Sequence, residues 1–509
     1  MNVGTPIFFE RSENYNDFTD QKKGVRFIST TYGNYIHGSW VDSESGNLFA
    51  STNPANTEEV LGHFQDSTVS DTQKAIDAAE SAFPSWSAQS AIHRADILYR
   101  LIPLLAEEKN RLATIITNEV GKTFIAAQKE VEASIQALKH FSGAANRLAG
   151  ETVPANDPAT FTYTVQEPLG AVGVITPFNF PLGIGIYKIA PAMLAGNTVV
   201  YKPPNDTALI AVELVKLFDR AGMPAGVLNM VTGAGEVVGK EMGGNHKLKA
   251  ISFTGSTAVG MELGRAVHAR GGKMQAEMGG KNATIILEDA DLEAAIDGII
   301  LSGMFNNGQS CTGTSRVIVP KNMTQEVTER LVQKANSLRI GNGFEDVDNG
   351  AVANEKQLNT YLHFIESAKR DGAVIECGGR RLTDHGRDQG YFVAPTVISG
   401  VTSAMEVAQE EIFGPVVAVI EVDSFDEAID VANDVRFGLS SAIYTKDLYK
   451  AHTFVRRIQT GVTHVNVPSN HYENQLPFGG KKNSSIGPRE QGSTALDFWL
   501  ETKAVYLRP

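Results

Sequence analysis

Ala171-Val172-Gly173-Val174-Ile175-Thr176-Pro177-Phe178-Asn179-Phe180-Pro181 is a short apolar run that stops at a proline-flanked turn. The apolar half, Ala171–Ile175, reads as a buried strand. The pattern returns at Thr198–Tyr201, Val227–Val231, Ala250–Phe253 and Thr284–Leu287, with helical stretches such as Ala208–Ala221 between them. Strands alternating with helices predict a parallel sheet joined by crossover helices. Open α/β sheets place ligands at the carboxyl ends of such strands, so Asn179 stands at a candidate site, where its amide N–H₂ can stabilise an oxyanion.

Composition narrows the class. The chain has 509 residues, 42% hydrophobic and 20% charged, which predicts several structural domains around a large core. A net charge of −13 argues against a general nucleic-acid binder. Two cysteines cannot build a disulfide framework, so a reducing, cytoplasmic setting is expected. The first residues show no basic segment followed by an apolar one, and no run of 18 apolar residues occurs, so neither a signal peptide nor a membrane span is expected.

Outward from the opening strand, residues 1–33 are polar and irregular and read as an arm. Tyr35–Trp40 reads as a short strand and turn. Ser70-Asp71-Thr72-Gln73 has the spacing of a capping box opening a helix over Lys74–Ala82, with further helices near His93–Lys109 and Arg111–Leu148. Beyond residue 311 the alternation resumes with strand Arg316–Val319, helices Thr324–Ser337 and Glu355–Asp371, strand Val416–Val422 and helix Phe425–Val435, which predicts a second α/β domain. Thr160–Val165 and Thr502–Tyr506 alternate apolar and polar residues and predict a small outlying sheet of the kind that serves subunit contact.

Chemistry concentrates in a few turns. Cys311, in Phe305-Asn306-Asn307-Gly308-Gln309-Ser310-Cys311-Thr312-Gly313, follows a long apolar helix and is flanked by glycines, a setting that can expose a nucleophilic thiol. The other cysteine, Cys377, reads as a loop residue beside two glycines. Glu277, ahead of Met278-Gly279-Gly280-Lys281-Asn282, is a carboxylate with room for a water beside it, as a general base needs. Lys202, at a strand end before Pro203-Pro204-Asn205, can meet a ribose or phosphate. Ser252-Phe253-Thr254-Gly255-Ser256 passes from strand into helix, where a helix N-terminus suits phosphate. Gly233-Ala234-Gly235-Glu236-Val237-Val238-Gly239 is a second glycine turn, without the usual dinucleotide spacing. Glu411-Ile412-Phe413-Gly414-Pro415 supplies a carboxylate for ribose hydroxyls and a ring to wall a nicotinamide.

Together, in this order, these segments resemble the aldehyde dehydrogenase superfamily over about residues 34–507. The resemblance implies an α/β fold: two Rossmann-like open-sheet domains, one cofactor-binding and one catalytic, plus a small β oligomerisation flap. The implied division is an arm over 1–33, a cofactor-binding domain over 34–149 and 168–276, a catalytic domain over 277–483, and a flap from 150–167 and 484–509. It implies Cys311 as nucleophile, Glu277 as the base that activates water, and Asn179 with the Cys311 backbone N–H as oxyanion hole. Lys188 and Glu490 match a polar pair that relays protons toward the base in some members. Cofactor contacts are implied for Thr176, Pro177 and Phe178, for Lys202 and Asn205, for Gly235, for Thr254, Gly255 and Ser256, and for Glu411 and Phe413. No metal site is expected.

The resemblance implies NAD(P) as cofactor. Many NAD-preferring members carry a glutamate three residues after the equivalent of Lys202, and this chain has Asn205, which removes a charge that would repel a 2′-phosphate. NADP is therefore the expected preference. The tail Leu476–Ser485 with Gly487-Pro488-Arg489-Glu490-Gln491-Gly492 resembles members that oxidise 2-oxoglutarate semialdehyde (2,5-dioxopentanoate), with small hydroxyaldehydes also open. The expected activity is oxidation of an aldehyde to a carboxylic acid by a homodimer or homotetramer. The alternatives are a CoA-acylating semialdehyde dehydrogenase, which needs no water-activating base, and a non-catalytic binding or structural homologue.

Overall fold

The computed structural model describes residues 30–509. Two open sheets dominate. The first runs, edge to edge, Ser485–Ile486, Lys273–Glu277, Ala250–Thr254, Ala171–Ile175, Thr198–Lys202, Leu228–Met230, Asn34–Ile36 and Ser39–Val41. Its five central strands are mutually parallel, and both outer additions are antiparallel. The second runs Val374–Cys377, Thr396–Ser399, Val416–Val422, Thr314–Pro320, Asn282–Ile286, Ser440–Tyr444 and Val462–Val465, parallel except for its first pair.

The side-chain period of two explains why these strands carry almost unbroken apolar runs. Val172, Val174, Val199 and Tyr201 face one core, while Ala171, Ile175, Val200 and Ile251 face another across the sheet. The second sheet divides likewise, with Ile285, Ile318 and Ile420 on one side and Ile286, Val317 and Val419 on the other. Both sheets are thus covered by helices on both faces, the doubly wound arrangement expected of parallel strands.

Local details differ from the sequence reading. The capping box lies two residues earlier than its spacing suggested: Thr68 is the N-cap of helix Val69–Ser87, its side chain accepts the Asp71 N–H, and the Asp71 carboxylate accepts the Thr68 N–H at 2.9 Å. With Thr68 as the cap, Asp71 falls at the reciprocal position, where Ser43 also donates to it at 2.6 Å, while Gln73 donates to Asp77 at 2.7 Å. The long helix expected over Arg111–Leu148 is two, Lys109–Val120 and Phe124–Ala144, separated at left-handed Gly121 and restarted by the Thr123 cap. The hairpin of Leu48–Asn53 with Asn56–Gln65 was not anticipated, and Cys377 ends a strand rather than lying in a loop.

A small β flap stands apart, formed by Leu500–Leu507, Phe161–Pro168 and Thr152–Val153. Of the segment 484–509, only the last part joins it, since Ser485–Ile486 adds to the edge of the first sheet. The arm expected over 1–33 lies outside the described residues except at its end, where Thr31 and Tyr32 pair with His63 and Phe64. Among the described residues, no helix is long and apolar enough to cross a membrane.

Candidate active site

Ala171–Ile175 and Ala250–Thr254 are neighbours in the first sheet, but their onward strands, Thr198–Lys202 and Lys273–Glu277, lie on opposite sides of them. Such a reversal opens a crevice at the carboxyl ends. The turns after these strands deliver residues 176–181, 203–205 and 255–256 to one edge. The second sheet meets this edge by its amino ends, because Cys311 precedes strand Thr314–Pro320 and Glu411 precedes Val416–Val422.

Asn179 lies in the turn before helix Pro181–Ala195 and is 2% exposed. Its Nδ2 donates to the Gln309 carbonyl at 2.9 Å, which ties the turn to the Cys311 loop. A buried ion pair holds it from behind. Lys122 Nζ donates to the Asn179 carbonyl at 2.6 Å and to Glu130 Oε2 at 2.8 Å, and sits 4.1 Å over the Phe180 ring. Glu130 Oε1 accepts the Leu182 and Gly183 N–H groups at 3.0 and 3.1 Å, closing the N-terminus of that helix.

The Cys311 loop begins with two residues in left-handed backbone, Asn306 at φ 53° and Asn307 at φ 55°. Asparagine tolerates this conformation better than other side chains. Asn307 Nδ2 anchors the turn on the Ala351 carbonyl at 2.8 Å, and Asn282 Nδ2 holds the Cys311 carbonyl at 2.8 Å. Burial pushes the Cys311 thiol up to about 12; Glu411, Glu277 and Glu490 add to the rise, and its own backbone N–H opposes it.

Glu277 ends the strand Lys273–Glu277 and is 3% exposed. Ser485 Oγ donates to its Oε2 at 2.6 Å, while Oε1 has no hydrogen-bond partner among the described residues. Burial and then Glu490 raise this carboxyl well above the usual range, against Ser485, Lys188 and Arg489. Lys188 and Glu490 form a buried ion pair beside it, with Lys188 also donating to Ser252 at 2.9 Å and Ser252 to Gln275 at 2.9 Å.

The residues expected around a dinucleotide occupy the same edge. Thr176 donates its N–H to the Lys202 carbonyl and its hydroxyl meets Tyr201 at 3.2 Å, with Pro177 and Phe178 following in the turn. Phe178 meets Phe413 edge-on, with centroids 5.7 Å apart. Phe413 holds a positive φ of 56°, and Gln357 Nε2 grips the Ile412 and Phe413 carbonyls at 2.8 Å each. Glu411 Oε1 accepts the Gly280 N–H at 3.1 Å, and burial raises its carboxyl to about 7. Ser256 is the exposed N-cap of helix Thr257–Ala269 and makes no side-chain cap bond, while Gly255 N–H is bound by the Glu277 carbonyl. Gly235 opens an exposed π-helical turn after strand Leu228–Met230.

Among the described residues the Lys202 amine hydrogen-bonds no other candidate residue; it donates to the Pro203 carbonyl, and burial lowers it to about 8. Asn205 Oδ1 and Thr254 Oγ1 are buried with no partner among the described residues. Asp206, beside Asn205, is turned to Asn354 Nδ2 at 3.1 Å. A free helix N-terminus, an amine at a strand end, a carboxylate, an aromatic pair and two unpaired polar atoms fit a dinucleotide's phosphates, ribose and ring. Among the described residues, no group of three or more His, Cys, Asp or Glu could hold a metal ion.

Residues 40–505 match the aldehyde dehydrogenase family. The chain belongs to that family. An alpha-ketoglutaric semialdehyde dehydrogenase of Bacillus subtilis is 42% identical over 480 residues, covering 94% of this chain and 98% of that protein. A 2,5-dioxopentanoate dehydrogenase of Saccharolobus solfataricus is 40% identical, covering 92% and 97%. Among solved structures, an aldehyde dehydrogenase of Bacillus cereus in complex with NAD+ superposes with a TM-score of 0.91 at 36% identity, covering 95% of this chain and 97% of that one. A betaine aldehyde dehydrogenase of Staphylococcus aureus with NAD+ gives 0.91 at 34% identity, covering 94% and 97%. This aldehyde dehydrogenase is an NAD(P)-dependent oxidoreductase acting on the aldehyde group.

Sequence reasoning missed the residues that hold the enzyme's candidate groups in place. Lys122 and Glu130 fell inside one presumed helix, although Gly121 was a signal for its end. Ser485 carries no signal of its own within the tail Leu476–Ser485. Lys281, whose amine is buried without a partner among the described residues and lowered by burial to about 7, was read only as part of a turn.

Proposed function

We propose that the protein oxidises a carboxylate-bearing semialdehyde, 2-oxoglutarate semialdehyde in the first instance, to the corresponding acid, with NADP preferred and NAD accepted. The observation that carries the chemistry is the meeting of three groups. The Cys311 loop hydrogen-bonds the Asn179 amide at 2.9 Å, and beside it stands a buried carboxylate, Glu277, held at one oxygen and unpartnered at the other among the described residues. Cys311 first loses its proton to solvent; the thiolate sulfur then adds to the aldehyde carbon, and the carbonyl oxygen, now an anion, is held by the Asn179 N–H₂ and the Cys311 backbone N–H. One such donor contributes about 3–4 kcal/mol to a transition state. When bound, the nicotinamide ring supplies the hydride acceptor. The thiohemiacetal thus becomes a thioester on Cys311. Glu277 removes a proton from water, hydroxide adds to the thioester carbon, and the thiolate leaves as the acid forms. The Lys188–Glu490 pair carries the proton on from Glu277.

Lys202 and Asn205 favour a 2′-phosphate because Asn205 is neutral where a glutamate would repel it and the Lys202 amine supplies a positive charge at the same strand end. The names of the relatives at 42% and 40% identity support the substrate class. A CoA-acylating enzyme would have no use for a carboxylate prepared as Glu277 is. The flap supports a homodimer or homotetramer.

The test pairs a panel of aldehydes with NADP and NAD, with and without CoA, on the wild type and Asn205→Glu, following reduced nicotinamide and acid product. The highest kcat/KM is expected for 2-oxoglutarate semialdehyde with NADP, and the substitution should move the NADP/NAD ratio roughly tenfold toward NAD through like-charge repulsion. Turnover only with CoA, or none with any aldehyde, overturns the reading.

A further inference from the structure

Glu277 is the last residue of its strand, and the two-residue strand Ser485–Ile486 runs antiparallel beside it with Glu277 opposite Ser485 and Ala276 opposite Ile486. Residues directly opposed in an antiparallel pair project to the same face, so the register alone brings the serine hydroxyl to the carboxylate across 208 residues of chain. The hydroxyl is not free to rotate. Its oxygen accepts the Gly480 N–H at 2.6 Å, which directs its single proton to Glu277 Oε2, also at 2.6 Å. The neighbouring residue attends to the other oxygen. Gly479 has φ +150°, and a Cβ there would lie 2.5 Å from Glu277 Oε1. Residues 479 and 480 therefore do complementary things: one leaves space beside Oε1, the other aligns the hydroxyl that holds Oε2.

We propose that Ser485 is a positioning residue for thioester hydrolysis, fixing Oε2 of Glu277 so that Oε1 is presented to the attacking water. The assignment rests on the reading of Glu277 as the water-activating base. A base must be ionised to work, and this one is surrounded by opposing influences. Burial and then Glu490 disfavour its charge, whereas Ser485, Lys188 and Arg489 favour it. Ser485 is the one of these that bonds the carboxylate directly in the structure. Without its proton the carboxyl titrates at higher pH and turns more freely.

The test compares Ser485→Ala and Ser485→Thr with the wild type, using NADP and the best aldehyde of the panel. In Ser485→Ala the first turnover, read as the initial release of reduced nicotinamide, should keep its wild-type rate. Later turnovers should slow roughly tenfold, the scale of losing one charge-assisted hydrogen bond. The acid limb of the steady-state pH profile should move up by about one unit. Ser485→Thr, which keeps the hydroxyl, should restore both. Wild-type steady state and pH profile in Ser485→Ala overturn the proposal. So does a parallel fall of first and later turnovers with a lowered melting temperature, which marks a general structural role. Glu277→Gln separates this proposal from the reading it rests on: if Glu277 is the base, Glu277→Gln stops after one turnover whatever Ser485→Ala does. If Glu277→Gln turns over normally, the reading of Glu277 fails and the role of Ser485 falls with it.

Discussion

A thiol pushed up to about 12 is a poor nucleophile at neutral pH, and the surroundings of Cys311 push it that way. The cause is local: enclosure first, then the charge of Glu411. If Glu411 is the ribose acceptor proposed for it, whatever neutralises or engages it also relieves the sulfur. Cys311 should accordingly be alkylated slowly by iodoacetamide in a Cys377→Ser background at pH 7. The rate should climb about tenfold per pH unit through pH 10, because the thiolate fraction is still rising there. Added NADP, or Glu411→Gln at pH 8 where that carboxyl is largely ionised, should speed the reaction. A rate that levels off near neutrality would show that the free protein activates its own thiol.

Elements buried on both faces write themselves into sequence as unbroken apolar runs, which is why Ala171–Ile175, Thr198–Lys202 and Val416–Val422 were legible and with them the two-sheet α/β plan. Lys273–Glu277 was not, because Lys273, Gln275 and Glu277 interrupt it with groups whose partners arrive from residues 485–501. The same asymmetry runs through the site. Asn179, Glu277, Cys311 and Glu411 carry local signals in their turns, whereas the side chains that hold them announce nothing, since Lys122 reaches Asn179 over 57 residues and Ser485 reaches Glu277 over 208. Lys122 makes this testable at the level of the element it anchors. Replacing it with methionine removes the bond to the Asn179 carbonyl and leaves Glu130 to the helix N-terminus alone. We expect kcat/KM to fall by roughly 10- to 100-fold, below the ceiling set by losing an oxyanion donor outright. In an Asn179→Ala background the same substitution should cost almost nothing further, because both act through one group. Equal losses in both backgrounds would reduce Lys122 to a stabiliser of the fold.

The whole molecule is two sheets offering opposite edges to one cleft, carboxyl ends from the first and amino ends from the second. The chain crosses between them in the few residues from Glu277 to Asn282 and returns at Ser485, so the candidate base sits at the seam rather than within either sheet. The flap belongs to neither sheet. Its three strands expose Val153, Phe161, Tyr506 and Leu507 at 49%, 53%, 77% and 52%. By register Tyr506 and Val153 project to one face of the flap and Leu507 and Phe161 to the other. On the proposed reading that another copy covers the flap, Tyr506→Asp combined with Leu507→Asp should lower the mass measured by light scattering at least by half, by placing one carboxylate on each face of a sheet that must lose water to associate. The melting temperature should drop as the intersubunit contact is lost, while the first-turnover rate per chain persists, since no candidate catalytic residue lies in the flap. A wild type already at the mass of one chain, or a doubly substituted protein of unchanged mass, would mean that the flap faces solvent and that assembly, if any, uses another surface.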